Sequence, residues 1–151
     1  MSDDTARTSE ERLLALEAIE DLKRLKARYF RSLDRKEWDV WGDVWAVDAV
    51  LEVPEAELVE RGRDAIVASV SGALEGTVTV HHGHTVELEL TGPDTATGTW
   101  AMADHVVWTA PDGGEPFGIR GAGHYEEEYR REDGTWRIAR SRLVRLRVDP
   151  A

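Results

Sequence analysis

The chain has 151 residues, with 30 Asp and Glu against 19 Lys and Arg, five His, no Cys, 41% hydrophobic residues and a net charge of −11. That length is most simply one domain, able to bury a core without a metal or disulfide staple, and the missing Cys removes disulfides, zinc–thiolate sites and thiol nucleophiles together. The acidity argues against binding a phosphate backbone, no apolar run approaches the ~20 residues of a membrane-spanning helix, and the polar opening lacks a signal peptide's apolar core, so a cytoplasmic protein without nucleic-acid or membrane partners is expected.

Residues 1–7 are small, polar or charged and are expected to fray, leaving 8–149 as the folded domain. Thr8-Ser9-Glu10-Glu11 fits a capping box, in which the Thr and Glu side chains satisfy each other's free backbone N–H. From there Ala15, Ile19, Leu22, Leu25, Tyr29 and Leu33 recur at three- and four-residue steps, which predicts one amphipathic helix over Glu10 to Leu33. Asp34-Arg35-Lys36-Glu37 interrupts the stripe. Trp38 to Val47 then reads as a short helix, Ala49 to Val53 as a strand stopped by Pro54, and Arg63 to Leu74 as a further helix with Ile66, Val67 and Val70 as its buried face.

After Gly76 the period becomes two. Val78, Val80, His82, His84, Val86, Leu88 and Leu90 alternate with Thr77, Thr79, His81, Gly83, Thr85, Glu87 and Glu89. Thr91 to Asp94 makes a turn. Thr95 to Thr109 reads as the next strand, with Ala96, Gly98, Trp100, Met102, Asp104, Val106 and Trp108 on one face. Pro111-Asp112-Gly113-Gly114 is a second turn, Phe117 to Arg130 a third long strand, and Asp133-Gly134 a hairpin turn before Trp136 to Val148. Helices followed by a meander of long strands indicate an α+β fold. One packing solution is a curved antiparallel sheet around the long helix and two shorter ones, enclosing an apolar pocket.

Asp104 stands in an apolar row, where an ionised carboxylate needs a partner or a task. It fits a pocket acid that orients a His or moves a proton, a carboxylate bonded to an Arg, or a residue turned outward by a bulge. Among the histidines, alternation puts His82 and His84 on the apolar side. Gly83 could sit at a bulge, which would reverse that assignment. Three His and an Asp could also hold zinc, though HxH on a strand carries no specific spacing. Tyr29 lies on the buried helical stripe and needs a partner for its hydroxyl. Arg145, among Leu143, Val144 and Leu146, calls for an acid. Glu126, Glu127 and Glu128 read as a solvated face, and Arg137, Arg140, Arg142 and Arg147 as surface residues. With no phosphate-binding glycine loop and no nucleophile elbow, the chemistry on offer is acid–base.

The runs Lys26 to Asp39, Gly62 to Ile66, His81-His82-Gly83-His84-Thr85 and Ala96 to Asp104 resemble the SnoaL-like domains of the nuclear transport factor 2-like superfamily. The resemblance covers Leu13 to Val148 and implies a cone of helices and curved sheet around a cavity. Within that family the chain looks most like the bile-acid 7α-dehydratases and, more distantly, the scytalone dehydratases. The first likeness implies catalytic roles for Tyr29, His81, Asp104 and Arg145, with Val53 where those enzymes have a second Tyr. The second matches His81 and Asp34, and departs at Val106 and Leu33. Together they imply a lyase that removes water from a hydrophobic hydroxy-carbonyl compound such as a steroid, terpenoid or polyketide. His81 would be the base, Asp104 would hold its tautomer, and Tyr29 would donate a hydrogen bond. Arg145 would fix Asp104 or a substrate carboxylate. Leu33, Trp45, Val53, Trp100, Met102 and Tyr125 are expected to line the cavity, with no metal and no organic cofactor. The same parts would serve an isomerase or a cyclase. A non-catalytic ligand-binding module and a small oxygenase subunit share the fold. Assembly as a homodimer or homotrimer is also expected.

Overall fold

Thr8 opens the first helix as its spacing predicts: its backbone N–H donates to Glu11 Oε2 (2.7 Å) and its Oγ1 accepts from the Glu11 N–H (3.2 Å). The structure is a computed structural model that describes residues 7–110 and 112–151. Residues 1–6 of the expected frayed segment, and Pro111 of the second expected turn, lie outside the described residues. Helix α1 runs Ser9–Asp34, and Leu22, Leu25, Tyr29 and Leu33 of the expected stripe are buried along it. Each such apolar side chain contributes about 1.5–3 kcal/mol when taken out of water.

Helix α2 covers only Trp38–Gly42, shorter than the helix expected to reach Val47. Strand β1 begins at Trp45 and runs to Val53, followed by a 3₁₀ turn at Pro54–Ala56 and a short strand β2, Leu58–Arg61. Trp and Val satisfy helical and extended patterns alike, and here the last strand decides. Val44 O accepts from the Ile138 N–H (2.8 Å), and Trp45 pairs with Ile138, a partner that only the folded chain supplies. Helix α3, Arg63–Ala73, buries Ile66. Four long strands follow: β3 Thr77–Leu90, β4 Thr95–Trp108, β5 Phe117–Glu132 and β6 Thr135–Pro150. The last hairpin turns at Asp133 and Gly134, both at positive φ, as the Asp-Gly pair predicts.

The α+β class stands, but the expected cone does not form. The six strands lie in the linear order β2-β1-β6-β5-β4-β3, an open, uncurled ladder whose two end strands do not meet. Nor is the sheet purely antiparallel, because β1 lies parallel to β6. The expected enclosed pocket is occupied by side chains. Tyr29, Trp41, Trp45 and Tyr125 fill the space between α1 and the sheet, with ring centroids 5.4–5.9 Å apart. Leu33, Met102 and Leu51 close the same core.

Candidate active site

Helix α1 ends with its last residue, Asp34, pointing at β3. One carboxylate oxygen of Asp34 lies 2.7 Å from His81 Nδ1, and the other accepts the His81 backbone N–H at 2.9 Å. Thr79 donates its hydroxyl to the same carboxylate (2.9 Å) and in turn accepts from Lys36 Nζ (2.7 Å). The imidazole is thus tied at Nδ1, while Nε2 has no hydrogen-bond partner among the described residues. The expected orienting acid was Asp104, and the residue found at Nδ1 is Asp34. Asp104 Oδ2 instead stands 3.9 Å from Nε2, beyond hydrogen-bond reach.

His81 faces inward because β3 changes register between Gly83 and Val86. Before this bulge Thr79, His81 and Gly83 face the interior, and after it Val86, Leu88 and Leu90 do. One inserted residue flips the alternation, so the simple period had favoured His82 on the wrong side of Gly83.

Asp104 is 5% exposed and its side chain is fully buried. Both of its oxygens take hydrogen bonds from the Arg145 guanidinium, with Nη1 at 3.1 Å from Oδ1 and Nη2 against Oδ2. Arg145 Nε also reaches Glu55 Oε1 at 3.0 Å. This forked geometry is what a buried carboxylate requires. It crosses over β5 at Gly121, where an added Cβ would press on Asp104 Oδ1 and Arg145 Nη1 closer than real Cβ atoms come. Gly121→Ala is therefore expected to lower unfolding free energy by about 1–3 kcal/mol, the cost of overpacking. Urea denaturation would measure it, and an unchanged midpoint would show that the pair yields freely.

Tyr29 is buried, and its hydroxyl titrates far above the ordinary phenol value. Burial is the main cause and the Glu127 charge adds to it, while a hydrogen bond with Tyr125 opposes the rise. It stays a neutral donor throughout the range in which proteins work. Beneath it lies a group that sequence reasoning missed. Lys26, fully buried, places Nζ 4.0 Å from the centroid of the Tyr29 ring, 3.7 Å from that of Tyr125 and 2.5 Å from Glu127 Oε1. Burial pulls the Lys26 ammonium below its ordinary pKa, and the Glu127 carboxylate opposes that fall. Glu127 also accepts from Ser141 Oγ (2.8 Å) and Tyr129 OH (2.5 Å), and Tyr129 accepts from Trp100 Nε1 (2.8 Å). The expectation of a solvated Glu126-Glu127-Glu128 face is thus corrected at Glu127, which shares the inward phase of Tyr125 and Tyr129 along β5. That phase was the available signal.

Of the six residues expected to line a cavity, Trp100 lines the groove beside His81. Leu33, Trp45, Met102 and Tyr125 are core, and Val53 packs half-buried against it. The cavity beside His81 is a groove of about 580 Å³ between α1 and β3, with Ala27, Phe30, Val86 and Trp100 as its apolar walls. Its volume suits a small organic molecule. Among the described residues no group of three or more His, Cys, Asp or Glu side chains is disposed to hold a metal ion. No helix among them is long and apolar enough to cross a membrane.

The Asp34 bonds have a pH signature. Half-burial by itself would raise the Asp34 pKa, but hydrogen bonds from the His81 ring and backbone and from Thr79 hold it below the ordinary value. Their contribution to stability is present above the unfolded-state value of roughly 3.9 and is lost as pH falls through the lower folded value. The wild type should therefore melt higher than Asp34→Asn near neutrality, and the two should converge in acid. A gap that persists at the acid end would show that the bonds act some other way.

A family profile described as the SnoaL-like domain matches residues 14–142. Among solved structures, the chain is similar to a hexachlorocyclohexane dehydrochlorinase (LinA, type 2), with a TM-score of 0.81, 19% identity and coverage of 92% of each chain. It is similar to a candidate scytalone dehydratase from Novosphingobium aromaticivorans, with a TM-score of 0.78, 17% identity and coverage of 90% of this chain and 89% of that one. It is also similar to Rv3472 of Mycobacterium tuberculosis, described as of unknown function, with a TM-score of 0.72, 26% identity and coverage of 88% and 74%.

Proposed function

The chain belongs to the SnoaL-like domain family, and on that footing we propose that it is a lyase that eliminates water from a hydrophobic hydroxy-carbonyl compound. The observation that carries the reading is the Asp34–His81 bond of 2.7 Å in a residue that lines the groove, with no hydrogen-bond partner at Nε2 among the described residues. Asp34 accepting at Nδ1 keeps the proton there, so Nε2 holds the lone pair of a general base. The names dehydrochlorinase and dehydratase, borne by two similar structures, both denote eliminations.

In this reading Nε2 takes the proton from the carbon next to the carbonyl. The electrons of that C–H bond form the new double bond by way of an enolate. The C–O bond on the neighbouring carbon breaks, and the departing hydroxide takes the proton back from the His81 imidazolium, leaving as water and restoring the neutral base. The imidazolium formed on the way lies beside Asp104, whose charge favours it. The Arg145 fork holds Asp104 in place. Tyr29, neutral and packed in the aromatic core, is not among the groove's lining residues and takes no part in this step. A steroid, terpenoid or polyketide skeleton matches the Phe30, Val86 and Trp100 walls, and the likeness to bile-acid 7α-dehydratases points the same way.

The test supplies β-hydroxy ketones of these three classes in deuterated buffer. Products lighter by one water, formed by the wild type and not by His81→Gln, are expected. Deuterium uptake without loss of water would make the protein an isomerase, and neither change with any of them would remove the catalytic reading. Self-assembly as a dimer or trimer belongs to the same proposal, supported by the exposed Leu13, Leu14 and Leu16 of α1 and by Phe117 and Leu146. Sedimentation showing only a 16.9 kDa species would set it aside.

A further inference from the structure

Thirty carboxylates are spread over this chain, and among the described residues they line four of its cavities. The cavity on the outer side of the sheet is lined by Glu87, Glu89, Glu126, Glu127 and Glu128 together with Arg140 and Arg142. The hollows around α2 and α3 carry Asp39, Asp43 and Asp64, or Glu75, or Glu37. The groove beside His81 is the exception among these described cavities: no Asp or Glu lines it, whereas Lys23, His82 and His84 do.

Those three form a rim. His82 and His84 are exposed on the bulged stretch of β3, their rings stacked 6.2 Å apart at 26°. Lys23 faces them from α1, and its partner Glu20, at 2.7 Å, belongs to an exposed pair of consecutive helical turns. Such pairs hold weakly and give way to a better acceptor. Between the two histidines Gly83 has no side chain, which lets the Phe30 ring rest on the strand; a Cβ there would lie 2.5 Å from it. The groove therefore runs from imidazole and ammonium donors at its mouth to Phe30 and Trp100, with His81 among its walls.

We propose that this groove takes an apolar carboxylate, its anionic end bound at the rim by Lys23, His82 and His84 and its apolar body laid along Phe30, Val86 and Trp100. The inference deepens the lyase reading and rests on it for the placing of the reacting carbon near His81. A chain with a net charge of −11 repels anions from most of its surface. A groove lined by no carboxylate and furnished with three donors at its mouth, of which Lys23 is shared with exposed Glu20, reverses that locally. Hydrogen bonds between such donors and a carboxylate are each worth about 1.5–3 kcal/mol, roughly 10- to 100-fold in affinity.

Isothermal titration with dodecanoate, dodecanol and dodecyltrimethylammonium, each below its micellar concentration, separates charge from apolar burial. Dodecanoate is expected to bind at least about tenfold tighter than dodecanol, and the cation not to bind. The double variant His82→Ala/His84→Ala, whose changes lie on exposed side chains, is expected to weaken dodecanoate about tenfold or more, with Lys23 holding the advantage that remains, while leaving dodecanol unaffected. Equal binding of all three probes, or an unchanged dodecanoate affinity in the double variant, would overturn the inference. Turnover of uncharged hydroxy ketones alone would overturn it and leave the lyase standing. Tight dodecanoate binding without turnover of any hydroxy ketone would uphold it and remove the lyase instead.

Discussion

Replacing Lys26 with Met is expected to lower the unfolding free energy by about 3–5 kcal/mol. The substitution leaves Glu127 in a site from which water is excluded, still holding hydrogen bonds from Tyr129 and Ser141 but with no cation beside it. It also removes the ammonium from between the Tyr29 and Tyr125 rings. Against the 5–15 kcal/mol that typically holds a domain together, the loss is large enough to show as a major drop in the urea midpoint. Neutralising both partners in Lys26→Met/Glu127→Gln should recover much of it, because no unpaired charge then remains. A single variant that loses less than about 1 kcal/mol would show that water reaches Glu127.

Asp34→Asn is expected to reduce turnover about 10²–10⁴-fold, the range over which a positioned base acts. An amide at residue 34 can donate to Nδ1, which would move the ring proton to Nε2 and occupy the lone pair that the elimination needs. The backbone bond to the His81 N–H can still form through the amide oxygen, so the fold should survive. The diagnostic is a fall in kcat that exceeds any change in the fraction folded. Full activity in Asp34→Asn would mean that the tautomer is set elsewhere.

Much of the fold could be read from the chain, and the exceptions have physical causes. Helix α1 was legible because a capping box and a regular apolar stripe agree with each other. The four long strands were legible from alternation and turn residues. Trp45 to Val47, read as the end of a helix and found in strand β1, was not, since Trp and Val suit either state and the deciding partner, Ile138, lies in the last strand. The cone came with the family likeness, and the linear strand order with a parallel β1–β6 pair replaces it. Within the candidate site, Arg145 as the partner of Asp104 was among the readings the sequence supported, because an acid and a cation each stood in apolar rows. His81 was ambiguous because a register shift next to Gly83 is silent in periodicity. Asp34 joins His81 across a separation of 47 residues, so only the folded chain brings the end of α1 to β3. Lys26 and Glu127 were passed over because charge was equated with exposure, although both lie in phase with buried aromatic neighbours.

The proposed chemistry depends on which nitrogen of one imidazole carries the proton. Nitrogen-15 NMR of the His81 ring, recorded under the conditions of the turnover assay, reads this directly. The account predicts a protonated Nδ1 bonded to Asp34 and an unprotonated Nε2 in the wild type, with the two reversed in Asp34→Asn. A wild-type ring protonated at Nε2, or one whose tautomer does not respond to the Asp34 substitution, would contradict it.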